Sequence, residues 1–426
     1  MPDLLFLTQR LPYPPNKGEK IRSWHILNYL AKWYDIHLGC LVDDPADFQH
    51  VEMVRALCVD LYAAPLDRNR AKLTCASGLL TGEPLSVTYF RNRGLRRWVD
   101  GIVTRVKPAM TFVNSSNMAP YILDLPRTGK RVAELVDVDS EKFRSYSETA
   151  HSPMRQIYRR EWRLVQQLER RVALECDHSV LVSAAEAALF RTMVPEAAGK
   201  ISGISNGVDH RYFDPSREYE APFDPALPTF VFTGTMDYLP NIDAVAWFAT
   251  EVLPLIRQAQ PAARFFIVGS NPAEAVRRLA KLDGVTVTGR VADVRPYLFH
   301  ATAAVGPMRI ARGIQNKVLE AMAMGKPVIV TSGALEGIDA IPGRDVILAD
   351  QAQTFANAAI RLAAPPGAGA SGLATPEGLA LGRAARRLIL ERYDWDACLH
   401  GFDELMRPAG LDAPAPAGAS LTEAGT

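Results

Sequence analysis

Cysteine is scarce in this chain: five residues in 426, at Cys40, Cys58, Cys75, Cys176 and Cys398, odd in number and widely spaced. Such spacing offers neither a disulfide framework nor a paired metal motif, so reduced thiols and a cytoplasmic setting are expected. The eight histidines form no His-x-x-x-His or similar cluster and read as surface or packing residues. Net charge is nearly missing too. With 48 Lys and Arg against 47 Asp and Glu the balance is +1, which argues against bulk nucleic-acid binding but leaves room for local basic patches. No run of about 20 apolar residues occurs, the length a membrane-crossing helix needs. The start, Met1-Pro2-Asp3-Leu4, lacks a basic leader and reads as the approach to a first strand, so no signal peptide is expected. No internal repeat with a period of about 20–50 residues is visible. No Gly-x-Gly-x-x-Gly follows the first strand, which speaks against a dinucleotide dehydrogenase.

What is present is an alternation of short apolar runs with longer helical patterns, the signature of α/β architecture with parallel sheets covered by helices. In the first half, strands are expected at Leu4–Thr8, Ile36–Val42, Met110–Val113, Arg131–Val136 and Ser179–Val182, and a further one around Leu57–Ala64. Helices are expected at Gly18–Trp33, Leu85–Val106, Met154–Glu175 and Ala184–Met193. The pattern restarts after a proline-punctuated stretch (Pro215, Pro222, Pro225, Pro228), with strands at Thr229–Thr233, Arg264–Val268, Val285–Thr288, Ala303–Val305, Pro327–Thr331 and Val346–Leu348. Helices are expected near Ile242–Val252, Ala273–Leu282, Ile314–Met324 and Ala352–Leu362. This divides the chain into a domain over 1–204, a connection over 205–228, a second domain over 229–378 and closing helices over 379–407 that pack back toward the first domain. The Ala-, Pro- and Gly-rich 364–372 and 408–426 read as a surface loop and a disordered tail.

The passage richest in chemistry runs from Pro307-Met308-Arg309-Ile310-Ala311-Arg312-Gly313 through Lys317, Glu320 and Gly325 to Pro327-Val328-Ile329-Val330. A strand leads into a loop, then a helix opening near Gly313, then a second strand. A helix start presents free N–H groups and the positive dipole end to an anion. Arg309 and Arg312 precede it, and Lys317 and Glu320, three apart, share one face. One cation and one carboxylate beside a helix start suit a phosphate and a sugar hydroxyl pair; a solvated surface ion pair has the same spacing.

This passage resembles the signature of glycosyltransferase family 4, a set of GT-B fold enzymes. Its pattern is Glu, seven residues, Glu, then Ala-Met-Ala, a small residue, Gly, any residue, Pro-Val. The resemblance makes Glu320 the second glutamate, which binds the ribose hydroxyls of the nucleotide, and puts Arg312 where the first glutamate contacts the donor sugar. Members often carry Gly-Arg and then Lys after the first strand of the second domain to clamp the diphosphate. Here Gly234-Thr235-Met236-Asp237-Tyr238-Leu239-Pro240-Asn241 has neither cation, and Arg309 with Lys317 are taken as the substitutes, beside Arg312 and Gly313. Gly18, in the Thr8–Arg22 segment after the first strand, is expected near the donor phosphates or the acceptor; Gly269, Gly289 and Arg290 follow strands where the family holds the base.

Asp137 and Asp139, in Glu134-Leu135-Val136-Asp137-Val138-Asp139-Ser140, end a strand of the first domain. Carboxylates at such an edge sit where α/β crevices bind ligands. Asp137 is expected to orient or deprotonate an acceptor hydroxyl, with Asp139 or Ser140 capping a helix over Glu141–Tyr146. No Asp-x-Asp stands in the loop context of a metal-dependent transferase, so no divalent cation or other cofactor is expected. Two basic stretches, Arg91–Arg97 and Arg155–Arg171, the second bearing Tyr158 and Trp162, suit an anionic bilayer surface. Glu161 and Glu169 would partner some of the arginines if that helix is simply soluble.

The combined motifs, Ser205-Asn206-Gly207-Val208-Asp209 included, resemble a subgroup linked to PEP-CTERM/exosortase exopolysaccharide loci. The resemblance implies two Rossmann-like domains facing a cleft. It also implies transfer, with retention, of a hexose from a nucleotide sugar, taken as UDP-linked, to a lipid-linked or growing oligosaccharide at the inner membrane face. A GT-B epimerase and a catalytically impaired scaffold are the competing readings.

Overall fold

In the computed structural model, residues 1–408 are described except 16, 70, 72–74, 76, 77, 80, 81, 312 and 364–374. The surface loop and tail expected at 364–372 and 408–426 thus lie, apart from Pro408, outside the described residues. The chain divides into two compact units. The first comprises Met1–Leu181, Ala187–Ile204 and the segment from Leu399; the second comprises Val182–Glu186 and Ser205–Cys398.

The first unit is built on seven parallel strands: β1 (Asp3–Leu7), β2 (Asp35–Val42), β3 (Asp60–Pro65), β4 (Met110–Asn114), β5 (Lys130–Val136), β6 (His178–Leu181) and β7 (Ile201–Gly203), in the order β3-β2-β1-β4-β5-β6-β7. β1 and β4 are wholly or almost wholly buried, as expected of parallel strands covered on both faces. Its helices include α1 (Gly18–Leu30), α2 (Leu85–Tyr89), α3 (Arg93–Arg105), α4 (Asp139–Thr149) and α5 (Met154–Glu175). The single helix expected over Leu85–Val106 is two, because the Asn92 side chain accepts from the N–H groups of Gly94 and Leu95 and starts a new helix there.

Asp139 does not cap α4. It lies inside the first turn, bonded to Lys142 at 3.0 Å. The capping acceptor is Glu169 of α5, which takes the Ser140 N–H at 3.1 Å and the Ser140 hydroxyl at 2.5 Å. Burial and the nearby charge of Asp139 push the Glu169 carboxyl up to about 8. Glu161 likewise accepts the Leu85 N–H at the start of α2, beside Arg160. Of the two glutamates expected to partner arginines, Glu161 does and Glu169 serves the cap.

The second unit carries six parallel strands, β8 (Thr229–Thr233), β9 (Arg264–Val268), β10 (Val285–Gly289), β11 (Ala303–Gly306), β12 (Val328–Val330) and β13 (Ile347–Leu348), in the order β10-β9-β8-β11-β12-β13. A long apolar run covers one face: α6 (Leu239–Trp247), a π-turn at Phe248–Val252 and α7 (Leu253–Ala259). The π-turn stands just before Pro254, which has no N–H to continue the regular ladder. Phe248 packs against Phe265 at 4.3 Å and Phe355 at 5.7 Å, and each buried ring contributes roughly 1.5–3 kcal/mol. The unit also contains α8 (Asn316–Ala323), α9 (Ala352–Leu362) and α10 (Pro376–Arg392).

Residues 205–228, expected as a connection, pack on this unit. Arg295 lies 3.8 Å over the Tyr212 ring, Tyr219 meets Phe299 at 5.1 Å, and Val208 bridges to Asp394. The closing helices also divide differently from expectation. α10 stays with the second unit, where Arg386 donates to Phe213 O and to Ala323 O. The chain joins the first unit only from Leu399, where Lys130 donates to Leu405 O at 2.6 Å and Phe402 meets Phe112 edge-on at 5.9 Å.

Beneath the first sheet edge, Arg22 and Glu134 are buried together at 1% and 0% exposure, 2.8 Å apart. Arg22 also donates to Ile204 O. Removing one partner strands a charge, so Glu134→Ala is expected to cost about 3–5 kcal/mol in urea-unfolding titrations, against under about 1 kcal/mol for the exposed pair variant Glu52→Ala; equal losses would show that the pair carries no special stability.

Candidate functional site

In the second unit the strand order reverses between β8 and β11, where α/β sheets open a crevice beyond their carboxyl ends. Gly234 follows β8, Gly269 follows β9, Gly289 ends β10, and the loop after β11 leads through Gly313 into α8. Gly234 and Gly269 are needed at this edge. A β-carbon on Gly269 would stand 1.7 Å from Gly234 O, and one on Gly234 would stand 2.8 Å from the Asn241 amide nitrogen and 3.5 Å from Lys317 Cε.

That bare backbone leaves space for Lys317. α8 opens at Asn316 rather than near Gly313, and no side chain caps its start; Val318 N–H bonds back to Gln315 O at 2.9 Å, which leaves the first two N–H groups of the helix without an intrahelical acceptor. Gly313 instead turns the loop at φ 67°. Lys317, in the first turn, donates to the neutral oxygens of Asn241 at 3.0 Å and Gln315 at 3.4 Å, with its ammonium 5.1 Å from the Phe232 ring centre. Asn241, 3% exposed, is itself fixed by donating to Thr235 O at 2.8 Å. Glu320 stands one turn on, on the same face. Burial, partly offset by Glu320, pulls the Lys317 ammonium down to about 8; burial, partly offset by Lys317, pushes the Glu320 carboxyl up to about 7.

Arg309 is not available as expected. It forms a two-pronged ion pair with Asp243 of α6, Nη2–Oδ1 2.6 Å and Nε–Oδ2 3.1 Å, which raises its pKa further. Arg290 is exposed just beyond β10, and Arg312 lies outside the described residues. Beside Glu320, Tyr212 feels its charge and sits under Arg295, which Asp293 holds at 2.7 Å. Thus Gly234, Gly269, Lys317 and Glu320 come together, joined by Asn241, for which the sequence reading gave no role. A buried Asn in a Pro-Asn pair opening a helix was the available signal.

Gly18 and Asp137 belong to the first unit. Gly18 is the first residue of α1. Asp137 follows β5 and is bonded to Lys142 at 2.8 Å. Two non-glycine residues adopt left-handed backbone at this edge, Ser115 (φ 80°) after β4 and Val136 (φ 70°) ending β5. Such strain, about 1–3 kcal/mol each, persists where surroundings enforce it and clusters at functional edges. In the basic stretches, Arg91, Arg96, Arg160, Arg170 and Arg171 pair with Glu83, Asp100, Glu161, Glu196 and Asp124. Arg93, Arg97, Arg155, Arg159 and Arg163 are exposed.

Comparisons with known proteins now bear on this geometry. Residues 227–364 match the family model described as glycosyl transferases group 1, so the second unit carries a domain of that kind. No curated protein matches the chain in sequence. Among solved structures, sucrose-phosphate synthase from Thermosynechococcus elongatus is similar at TM-score 0.66 and 18% identity, over 95% of this chain and 98% of that one. Anabaena HepE in complex with UDP is similar at 0.62 and 15%, over 95% and 99%. An S. aureus TarM mutant in complex with Fondaparinux, α-GlcNAc-glycerol and UDP is similar at 0.62 and 11%, over 96% and 100%. The fold is GT-B, with two parallel-sheet units.

Lys317 and Glu320 titrate against each other. Because the folded chain releases the Lys317 proton between about 8 and the ordinary 10.5, its contribution to stability rises with pH across that window. Glu320→Gln removes the charge that opposes desolvation, so Lys317 should lose its proton at lower pH in that variant, its pKa falling below about 8. The pH profile of Lys317 acylation, followed by mass spectrometry, reads this directly; an unmoved profile would break the electrostatic link.

Proposed function

We propose that the chain is a glycosyltransferase that moves a hexose from a nucleotide sugar, UDP-linked in our reading, to a lipid-linked or growing oligosaccharide, with retention of configuration, in exopolysaccharide synthesis. The observation that carries the reading is an ammonium held by amide oxygens, with no carboxylate at ion-pair distance among the described residues, in the first turn of α8, whose start no side chain caps. The group 1 match over the same residues supports it, as does the likeness to HepE in complex with UDP. The family 4 subgroup of PEP-CTERM/exosortase loci remains our assignment from the motifs.

In this reading Lys317 and the free N–H groups of α8 receive the diphosphate. Their positive charge grows in value as the bond to the sugar breaks and negative charge collects on the leaving oxygen. Glu320 accepts hydrogen bonds from the ribose hydroxyls. Asn241 is a positioning residue, since it fixes the Lys317 ammonium without reaching the substrate itself. Asp137, kept beside Lys142, accepts from the acceptor hydroxyl and orients it. Arg309, neutralised by Asp243, lends little to the phosphate. No divalent cation is assigned a part. We place the protein at the inner face of the cytoplasmic membrane, with Arg93, Arg97, Arg155, Arg159 and Arg163 toward acidic lipid, each worth about 1 kcal/mol near the surface.

Lys317→Ala is expected to weaken UDP binding about 10–100-fold, the range of one charge-assisted contact, while leaving uridine affinity nearly unchanged. Calorimetry should also give an affinity that falls below about pH 7, as Glu320 takes up a proton, and above about pH 8, as Lys317 loses one. Unchanged UDP affinity in Lys317→Ala removes the basis of the proposal. For the membrane part, sedimentation with phosphatidylglycerol vesicles should be salt-sensitive and lost in Arg155→Glu/Arg159→Glu/Arg163→Glu; salt-insensitive capture, or none, would count against it.

A further inference from the structure

α8 has a second end. Its eight residues span roughly 12 Å, so the segment after its C-terminus lies away from Lys317, where β12 begins. There a cavity of about 440 Å³ opens within the second unit, lined among others by Lys326, Arg383, Arg386, Arg387, Phe299 and Leu390. Four of these side chains are cationic and none of the lining residues is acidic.

The cations differ in how far they are already used. Arg386 closes the end of α8: it donates to Ala323 O and to Phe213 O at 3.0 Å and pairs loosely with Asp214 at 3.4 Å. Lys326, Arg383 and Arg387 have no carboxylate at ion-pair distance among the described residues. Asp345, which feels the charge of Arg387, is itself gripped by Arg344 at 2.7 Å. Arg383 and Arg387 are four apart on α10 and so project from one face; Leu390 continues that face. Lys326 sits 5.3 Å from the Phe299 ring centre, and burial without a compensating acid pulls its ammonium down to about 8.

We infer that this cavity is a second anion site, separate from the one at the start of α8, which takes a phosphate ester carrying an apolar group. Three uncompensated cations call for more than one negative charge, and a phosphate monoester supplies about 1.5–2 at neutral pH. Guanidinium forks match phosphate oxygens in pairs, while Phe299 and Leu390 provide apolar surface for the attached group. The volume lies within the usual range of small-ligand pockets. Two sources share this chemistry, a soluble phosphorylated metabolite and the headgroup of a single acidic lipid.

The test uses the full chain and two probes, phenyl phosphate and monomeric dihexanoyl-phosphatidic acid, both phosphate monoesters, the lipid kept below its micelle concentration. Saturable binding of at least one probe to the wild type is expected in ³¹P NMR titrations. Arg383→Glu/Arg387→Glu, both exposed, should weaken it tenfold or more with an unchanged melting temperature, and Lys326→Met should weaken it without reversing charge. Lys317→Ala should leave it intact, and UDP binding should survive the double substitution, which separates this site from the proposed donor site. Preference for phenyl phosphate would identify a soluble ester as the source, and preference for the lipid a headgroup. Binding of neither probe, binding unaffected by the double substitution, or binding lost in Lys317→Ala would overturn the inference.

Discussion

A partly desolvated ammonium whose hydrogen-bond partners are amide oxygens rather than a carboxylate is costly, and the second unit is arranged around one. Desolvation is the dominant influence on Lys317, and what offsets it is the charge of Glu320 together with two amide oxygens and an aromatic face. Each depends on something further back. Asn241 is held by Thr235 O, and the lysine stem needs the bare backbone of Gly234. A β-carbon on Gly269 would strike Gly234 O, and one on Gly234 would strike the Asn241 amide that holds the lysine. Two glycines, one asparagine and one strand reversal thus serve a single charge.

The first unit handles charge in the opposite way. There three of the inward-facing cations have acids of their own: Arg22 with Glu134, Lys20 with Asp47 at 2.6 Å, and Arg10 with Asp43 at 3.0 Å, while Arg131 donates to carbonyls. Even Asp137 has Lys142. A sheet edge with its charges paired internally offers neutral hydrogen-bonding groups and little local field, which suits a partner made of hydroxyls. A surface with a cation left over suits an anion. The two units therefore differ in electrostatic character although both present parallel sheets, and this difference, more than the shared topology, supports assigning the donor to one and the acceptor to the other.

Much of the fold was legible in the sequence because the strands are buried on both faces and read as apolar runs; β8 and β9 stand where Thr229–Thr233 and Arg264–Val268 were expected. What escaped were features that depend on distant partners. Glu169 caps α4 from a helix that starts 15 residues after Asp139, so local spacing pointed to Asp139 instead. Asn92 interrupts an otherwise helical pattern with a cap that propensity alone does not reveal. The prolines of 215–228 suggested a connection, but Tyr212 and Tyr219 anchor that stretch to Arg295 and Phe299. At the site, Lys317 and Glu320 were legible through their spacing and resemblance. Asn241 was not given a role, because its partner lies 76 residues away.

The fate of Arg309 decides how the proposed transfer has to work. Spacing put two arginines beside the helix start, as if to replace a missing cation pair, yet Asp243 grips Arg309 with both oxygens. A guanidinium so bound contributes a dipole rather than a net charge. Among the described residues, a diphosphate docking there meets Lys317 and the N–H groups that open one helix. Because Lys317 is already partly desolvated, it gains more from an arriving anion than a solvated lysine would, and the lowered affinity for its proton is reversed by the same event. The desolvation carried by Lys317 is thus the source of its attraction for phosphate, which is why a neutral asparagine, and not an aspartate, is the residue that holds Lys317 in place.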